Sequence, residues 1–328
     1  IPIGPEILEG SGASARSTYE ARNLLETAHD DALFDYYTTS ELAIVDPAAN
    51  SATQVKVISS PAPYFSATFS PDGEYLLVKW LVKPWSHQVG WRRFAEQVEV
   101  WDSNYEHVAA IASIPVSENV PVHGVITGPR SIAWRPTAPH ALFWVEALDG
   151  GDPKAEVPHR DRLMCLTAPF TTEPEEVFRA EHRIRGKDAW GADSGLLMLS
   201  QRERIRRWQY IWLLDVDAGT SRLWFDLNEK DSYNNPGNPL FRPLPTGHWV
   251  LHQKGDAVYF TGRGDTDEGR RPFLALRDLN SAKTERLFRC DPERYETFVT
   301  FVGDDEHFVL RSESEAAVPN YYLATLSN

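Results

Sequence analysis

The chain has 328 residues and a formal net charge of −14, with 33 Lys and Arg against 47 Asp and Glu. A chain this acidic is poorly suited to binding nucleic acid or an anionic membrane surface. No stretch approaches the roughly 20 apolar residues of a membrane span, and a hydrophobic content of 42% excludes general disorder. We therefore expect a soluble globular protein without nucleic-acid or membrane partners. The sequence leaves its compartment open between cytoplasmic, periplasmic and secreted.

The first 35 residues are polar and rich in Ala and Ser, with a short helical candidate over Glu20–Glu26. We interpret residues 1–35 as a linker or surface excursion. From residue 36 to residue 328, short apolar runs dominate, and a periodicity near 3.6 rarely persists for three turns. Together with 11 Trp, 12 Tyr, 15 Phe, 20 Gly and 23 Pro, this pattern predicts an all-β fold of short strands separated by turns.

One hairpin pattern recurs five times along this region. An apolar strand ends in an aromatic residue, a tight turn containing Pro, Asp or Gly follows, and a second apolar strand begins. The copies are Ala67–Val78, Ser131–Val145, Asp188–Leu199, Pro239–Leu251 and Phe298–Leu310. A third strand follows each hairpin, and a fourth strand follows four of them. Four strands per unit at a period of 51 to 65 residues is typical of a β-propeller with four-stranded blades.

The number of strands does not close a ring of five blades. Two strands, Glu41–Val45 and Gln54–Ile58, precede the first hairpin, and the last unit has no fourth strand. If the N-terminal pair completed the last blade, Glu41–Val45 would compete with Tyr321–Leu326 for one position. Because natural proteins avoid open sheet edges, we expect an incomplete propeller, part of a seven- or eight-bladed one, with further blades preceding Ile1.

The chain shows no motif that carries catalysis or binds metal. The pentapeptide Gly-x-Ser-x-Gly of a serine hydrolase is absent, because Gly191–Gly195 has its Ser one place off. No His-Glu-x-x-His occurs, and two cysteines, Cys165 and Cys290, are too few for a disulfide scaffold or a zinc cluster. We predict two buried thiols, no catalytic residue in the chain, no metal and no cofactor.

Two basic regions stand out on the acidic background. Eight Lys and Arg lie between Arg179 and Arg207 against four Asp and Glu, and cations alternate with aromatic residues in Lys83–Phe94. Both regions fit either a solvated blade edge or a positively lined mouth that attracts acidic peptide groups, because Arg binds carboxylates through two parallel hydrogen bonds.

Several longer motifs resemble a known family. They are Lys83–Ser86, Val98–Asp102, Gly128–Arg135, Trp144–Pro153, Glu156–Asp161 and Pro319–Tyr322. In this order and spacing they resemble the propeller of the prolyl oligopeptidase family of serine peptidases, in its glutamyl endopeptidase-like branch. The resemblance extends from Gly4 to the end of the chain.

The resemblance implies a catalytic α/β-hydrolase domain after residue 328, carrying a Ser-Asp-His triad outside this chain. The chain itself would be the gate that admits short or unfolded peptides, so its expected partners are peptide substrates and that C-terminal domain. Cleavage after Glu would require cations near the substrate carboxylate. Within the region that carries the resemblance, we nominate Arg92, Arg93, Arg130 and Arg160 as substrate-binding residues, and Arg130 could equally be a structural clamp.

A non-catalytic propeller that scaffolds protein partners is the alternative. The excursions Pro115–Thr127 and Asp149–Arg160 would serve equally well as binding loops. Whether the chain is part of an enzyme is therefore open from its residues alone, and the sequence downstream of Asn328 distinguishes the two hypotheses.

Overall fold

The computed structural model describes residues 24–46, 55–192 and 195–326, without the side chains of Lys187 and Asp188. Successive antiparallel sheets of short strands follow one another along the chain. The predicted all-β fold, a β-propeller of four-stranded blades, is confirmed. No helix in the described ranges is long and apolar enough to cross a membrane.

The N-terminal helix lies further along the chain than predicted. Helix α1 spans Ala28–Thr38 and starts with a capping box, in which the Asp30 amide donates to Thr27 Oγ1 at 3.2 Å and the Thr27 amide donates to Asp30 Oδ2 at 2.8 Å. The helical candidate over Glu20–Glu26 is wrong where it can be compared. Residues 24–26 are not helical, and residues 20–23 lie outside the described ranges. Leu25 instead packs against the hydrophobic cluster beneath α1.

Two short strands follow the helix, as predicted. Strands β1 (Ala43–Val45) and β2 (Val55–Val57) pair antiparallel as a separate two-stranded sheet. Blade 1 then comprises β3 (Tyr64–Phe69), β4 (Tyr75–Val82), β5 (Ala95–Asp102) and β6 (His107–Ile114), paired in that order. The first turn uses Gly73 at φ +77°, a conformation that favours glycine.

Blades 2 and 3 have the same order of four strands. Blade 2 comprises β7 (Arg130–Trp134), β8 (Ala141–Ala147), β9 (Asp161–Thr167) and β10 (Glu175–Ala180). Blade 3 comprises β11 (Arg183–Trp190), β12 (Leu196–Glu203), β13 (Trp208–Asp215) and β14 (Thr220–Asn228). The second strand of each of these two blades begins with an apolar run, Ala141–Val145 in β8 and Leu196–Leu199 in β12, as expected for a strand that is covered on both faces. The run Ala141–Val145 is entirely buried.

Blade 4 differs from its prediction. The predicted hairpin Pro239–Leu251 overlaps the end of β15 (Asn238–Pro239) and contains β16 (Phe241–Pro243) and β17 (Trp249–Leu251). Strands β16 and β17 pair only with each other. The second strand of the blade is β19 (Ala257–Gly262), which the sequence reasoning missed. On one side, β19 pairs with β15 at one end and with β18 (Gln253–Lys254) at the other. On its other side lie β22 (Phe273–Asp278) and β23 (Thr284–Arg289), while β20 (Asp265–Thr266) and β21 (Gly269–Arg270) form a small hairpin.

Blade 5 has three strands, as predicted for the last unit. They are β24 (Tyr295–Val302), β25 (Asp304–Ser314) and β26 (Ala317–Thr325). Nearly every residue of β26 is exposed. The described β1 and β2 do not pair with this sheet.

The described residues divide into two compact units. The first runs to Ala133 and resumes from Phe143 to Glu175, and the second contains Trp134–Leu142 and the chain from Glu176 onward. Within the second unit, blades 3 and 4 share a core that includes Met198, Trp224 and Phe260.

The two thiols differ in burial. Cys290 is fully buried, as predicted, whereas Cys165 is partly exposed, so the expectation of two buried thiols is wrong for Cys165. The Glu296 amide donates to Cys290 Sγ at 3.1 Å, and that thiol donates to the Arg294 carbonyl at 2.9 Å.

Candidate functional site

The connections in blades 1 and 2 are long at one end of each blade and short at the other. In an antiparallel meander, the first-to-second and third-to-fourth connections lie at one end, and the remaining connections lie at the opposite end. Here the former have four to seven residues, whereas Lys83–Phe94, Pro115–Pro129 and Leu148–Arg160 have 12 to 15. We call these three connections the loop end. All three belong to the first unit, and they or their borders contain all four predicted arginines.

Helix α1 anchors the connection Lys83–Phe94. Asp35 accepts a hydrogen bond from Lys83 Nζ at 2.5 Å and from Trp85 Nε1 at 2.8 Å. One turn earlier, the Asp31 carboxylate lies 2.9 Å from His87 Nε2. Two acidic side chains on one helix face therefore fix three side chains of the connection.

An aromatic cluster supports the same connection from below. Phe34 of α1 meets Trp85 edge-on, with ring centroids 5.1 Å apart, and Trp85 stacks on Phe94 at 5.4 Å. Phe94 and Val89 are buried, and the hydroxyl of the buried Ser86 donates to Glu118 Oε1 at 2.6 Å. The packing ties two of the three loop-end connections together and limits their motion.

The third connection closes around a buried carboxylate. Asp149 accepts from the Gly151 amide and from Arg160 Nη1, both at 2.9 Å. Arg160 also donates from Nη2 to the Ala155 carbonyl at 3.0 Å. The Val125 amide donates to the Gly151 carbonyl at 3.1 Å, which joins this connection to Pro115–Pro129.

Arg130 has a comparable internal partner. Arg130 is the first residue of β7 and forms an ion pair with Asp161, the first residue of β9. The Asp161 side chain is fully buried. Arg130 and Arg160 thus hold strands and loops through buried carboxylates, which favours the clamp interpretation of Arg130. The clamp lies within blade 2.

Arg92 and Arg93 occupy a short 3₁₀ helix, Trp91–Arg93. Arg93 is partly buried, and its carbonyl accepts from the Ser117 amide at 2.9 Å. Arg92 is exposed, with its guanidinium carbon 5.2 Å from the Trp91 ring centroid. The structure therefore places the four predicted arginines at the same end of their blades, in different surroundings. Their role in binding substrate stays a prediction.

The basic region Arg179–Arg207 is partly neutralised by neighbouring carboxylates. Arg179 pairs with Glu176, and Arg206 pairs with Glu203. Arg202 binds Glu229 through two hydrogen bonds of 2.5 and 2.6 Å and lowers the pKa of that carboxyl. These pairs give the region the character of a solvated blade edge.

Lys79 is a partly buried cation that the sequence reasoning did not single out. It lies in the middle of β4, and its Nζ donates to the Ile132 carbonyl of β7 at 2.6 Å. Burial raises the pKa of nearby Glu96 on β5, against the opposing effect of the Lys79 charge. A lysine inside the apolar run Tyr75–Val82 was the available signal. Among the described residues, no group of three or more His, Cys, Asp or Glu could hold a metal ion.

Comparisons with known proteins agree with this fold. No family model matches the chain. It shares its fold with an oligogalacturonate lyase from Vibrio parahaemolyticus, with a TM-score of 0.50 at 12% identity over 88% of this chain and 72% of that one. The chain is thus a β-propeller.

Two named proteins are similar to this chain in sequence. The chain is 34% identical to a "Probable glutamyl endopeptidase, chloroplastic" of Oryza sativa subsp. japonica over 93% of this chain, and 33% identical to the Arabidopsis thaliana protein of that name over 95%. In both cases it spans about a third (33%) of the relative's length. The resemblance to the propeller portion of the prolyl oligopeptidase family, in its glutamyl endopeptidase-like branch, is confirmed.

Proposed function

We propose that this chain is the substrate-access segment of a serine endopeptidase that cleaves peptides after Glu. The observation that carries the proposal is the loop end, where the three long connections of blades 1 and 2 lie and are held by α1 and by buried carboxylates. The similarity to glutamyl endopeptidases supports the reaction class.

The physical basis of the proposed gate is exclusion. A propeller channel and its bordering loops are too narrow for a folded domain, whereas an extended peptide can pass. Loops that are fixed by internal ion pairs and aromatic packing would keep that limit in place. The nucleophile, its base and the oxyanion hole would belong to an α/β-hydrolase domain of the same polypeptide. The relatives have room for such a domain, because they are about three times as long as the matched region (33% of their length).

The test uses the full-length polypeptide and two kinds of substrate. One is a short peptide with an internal Glu, and the other is a stably folded protein with the same sequence in a surface loop. Wild-type protein should cleave the peptide after Glu, lose activity with a serine-reactive phosphonate, and leave the folded protein intact. Cleavage of both substrates at equal rates would contradict the gating role.

A matched pair of variants then tests the loop end itself. Asp35→Ala removes the acceptor shared by Lys83 and Trp85 and should increase cleavage of the folded protein several-fold relative to the peptide. Asp102→Ala is the control, because this carboxylate caps the β5–β6 turn at the opposite end of blade 1 through the Asn104 and Glu106 amides. Equal effects of both variants would indicate general loosening.

The alternative is a non-catalytic propeller that binds protein partners. Tyr36 and Tyr37 on α1 are each 78% exposed, and exposed aromatic residues are frequent in binding surfaces. If the full-length polypeptide cleaves no Glu-containing peptide and is not labelled by the phosphonate, the scaffold becomes the better explanation.

A further inference from the structure

We propose that Trp91 and Arg92 form a binding site for the acidic side chain of the peptide, and that this site favours Glu. The inference rests on the proposed function, because it takes the peptide substrate as the ligand. It selects Arg92 from the four predicted arginines and adds Trp91 and Phe65, which the sequence reasoning did not nominate.

The first argument is the state of the cations at the loop end. Lys83, Arg130 and Arg160 are held by Asp35, Asp161 and Asp149, respectively. Arg92, by contrast, is exposed, and it has no carboxylate partner among the residues that the structure describes. Its guanidinium lies against the Trp91 ring. A guanidinium that lies over an aromatic ring keeps its N–H donors available for a carboxylate.

The second argument is preorganisation. The Phe94 amide donates to the Trp91 carbonyl at 3.1 Å, and the Arg93 amide donates to the Gly90 carbonyl at 2.9 Å. The turn is held on both sides by the buried residues Val89 and Phe94. A ligand that binds there therefore does not have to order the backbone, which lowers the entropic cost of binding.

The third argument concerns the choice between Glu and Asp. Trp91 and Phe65 are 44% and 40% exposed, and their ring centroids lie 6.4 Å apart. They form an apolar surface beside the cation. The two methylene groups of Glu can lie on that surface while its carboxylate accepts two hydrogen bonds from Arg92. Asp has one methylene group fewer, and Gln lacks the charge.

The experiment measures binding and cleavage separately on the full-length polypeptide. Calorimetry follows the binding of N-acetyl-Ala-Ala-Glu-amide and its Gln counterpart, and kcat/KM is measured on pentapeptides with an internal Glu or Gln. The variants are Arg92→Gln, Arg92→Lys and the control Arg242→Gln, which changes an exposed arginine of blade 4. Circular dichroism establishes that each variant is folded.

Arg92→Gln should weaken binding and lower kcat/KM for the Glu peptides by about 10- to 100-fold, and change both by less than about twofold for the Gln peptides. Arg92→Lys should give an intermediate value, because it retains the charge without the planar fork. Arg242→Gln should behave as wild type.

Two results separate this inference from the proposed function. If Arg92→Gln cleaves peptides with the wild-type ratio of Glu to Gln, the inference is wrong and the proposed function stands. If the wild-type protein binds the Glu tripeptide through Arg92 but cleaves nothing, the peptidase function is wrong and the binding site stands. Equal affinity of the wild-type protein for the Glu and Gln tripeptides also overturns the inference.

Discussion

The ion pair between Arg130 and Asp161 gives the most quantitative prediction. Their side chains are 13% and 0% exposed, so solvent screening is small. Removing one partner of such a pair leaves an uncompensated buried charge and costs about 3–5 kcal/mol. For a compact unit the size of the first one, each 1 kcal/mol lost from the free energy of unfolding lowers the Tm by roughly 2–4 °C. We therefore expect Arg130→Met to lower the Tm by roughly 10 °C.

The assay is a thermal melt of the full-length polypeptide, with a double-mutant cycle. Asp161→Leu alone should destabilise the protein as Arg130→Met does, because Arg130 then loses its partner. The double variant should be closer to wild type than either single variant, because no buried charge is left unpaired. The ratio of kcat/KM for Glu and Gln peptides should stay constant throughout. An Arg130→Met variant with unchanged Tm and a lost Glu preference would refute this reasoning and restore Arg130 as a substrate-binding residue.

Three further predictions concern single positions. Burial raises the pKa of Glu96 above its usual 4.5. Above the raised pKa, the ionised carboxylate of Glu96 destabilises the folded state. Glu96→Gln should therefore have a higher Tm than wild type at pH 8 and the same Tm as wild type near pH 4, in thermal melts at the two pH values. The pKa of Asp304 is lowered to about 2, chiefly by a backbone hydrogen bond from His307. The stabilisation of the folded state by ionised Asp304 should therefore be lost as the pH falls from about 4 towards 2. Asp304→Asn should remove this part of the pH dependence of stability from the acid unfolding curve. Gly151→Ala places a Cβ 2.0 Å from the Val125 carbonyl oxygen and should destabilise the protein far more than Gly73→Ala. Both glycines have φ near +77°, but a Cβ on Gly73 would have no atom within 4 Å. Equal Tm losses for the two variants would show that the positive φ, and not the clash with Val125, causes the destabilisation.

Residues close in sequence predicted most of the fold. The turn Ser70–Gly73 and its flanking strands can be recognised locally, because the Ser70 hydroxyl donates to Asp72 at 2.5 Å and Gly73 adopts a positive φ. Blade 4 was harder, because its first strand is divided between β15 and β18. Gly255, which forms the tight turn before β19 with φ +56°, was the local sequence signal from which the missed strand could have been recognised.

The sequence nominated Arg92, Arg93, Arg130 and Arg160 as substrate-binding residues, and that role stays a prediction. Neither the end of the blade at which they lie nor their ion pairs could be predicted. Arg130 meets Asp161 across 31 positions of sequence, and no local pattern shows that this contact forms. The start of α1 depended on Thr27 and Asp30 meeting in a capping box, whereas the apolar pair at Leu24 and Leu25 favoured an earlier helix.

The buried thiol of Cys290 could serve as a built-in reporter of blade separation. Cys290 directly follows β23 of blade 4, and its sulfur contacts the backbone of Arg294 and Glu296 where blade 5 begins. Burial raises the pKa of this thiol, so the closed structure should resist alkylation while the partly exposed Cys165 reacts first. The rate at which Cys290 is modified would then measure how often these two blades separate.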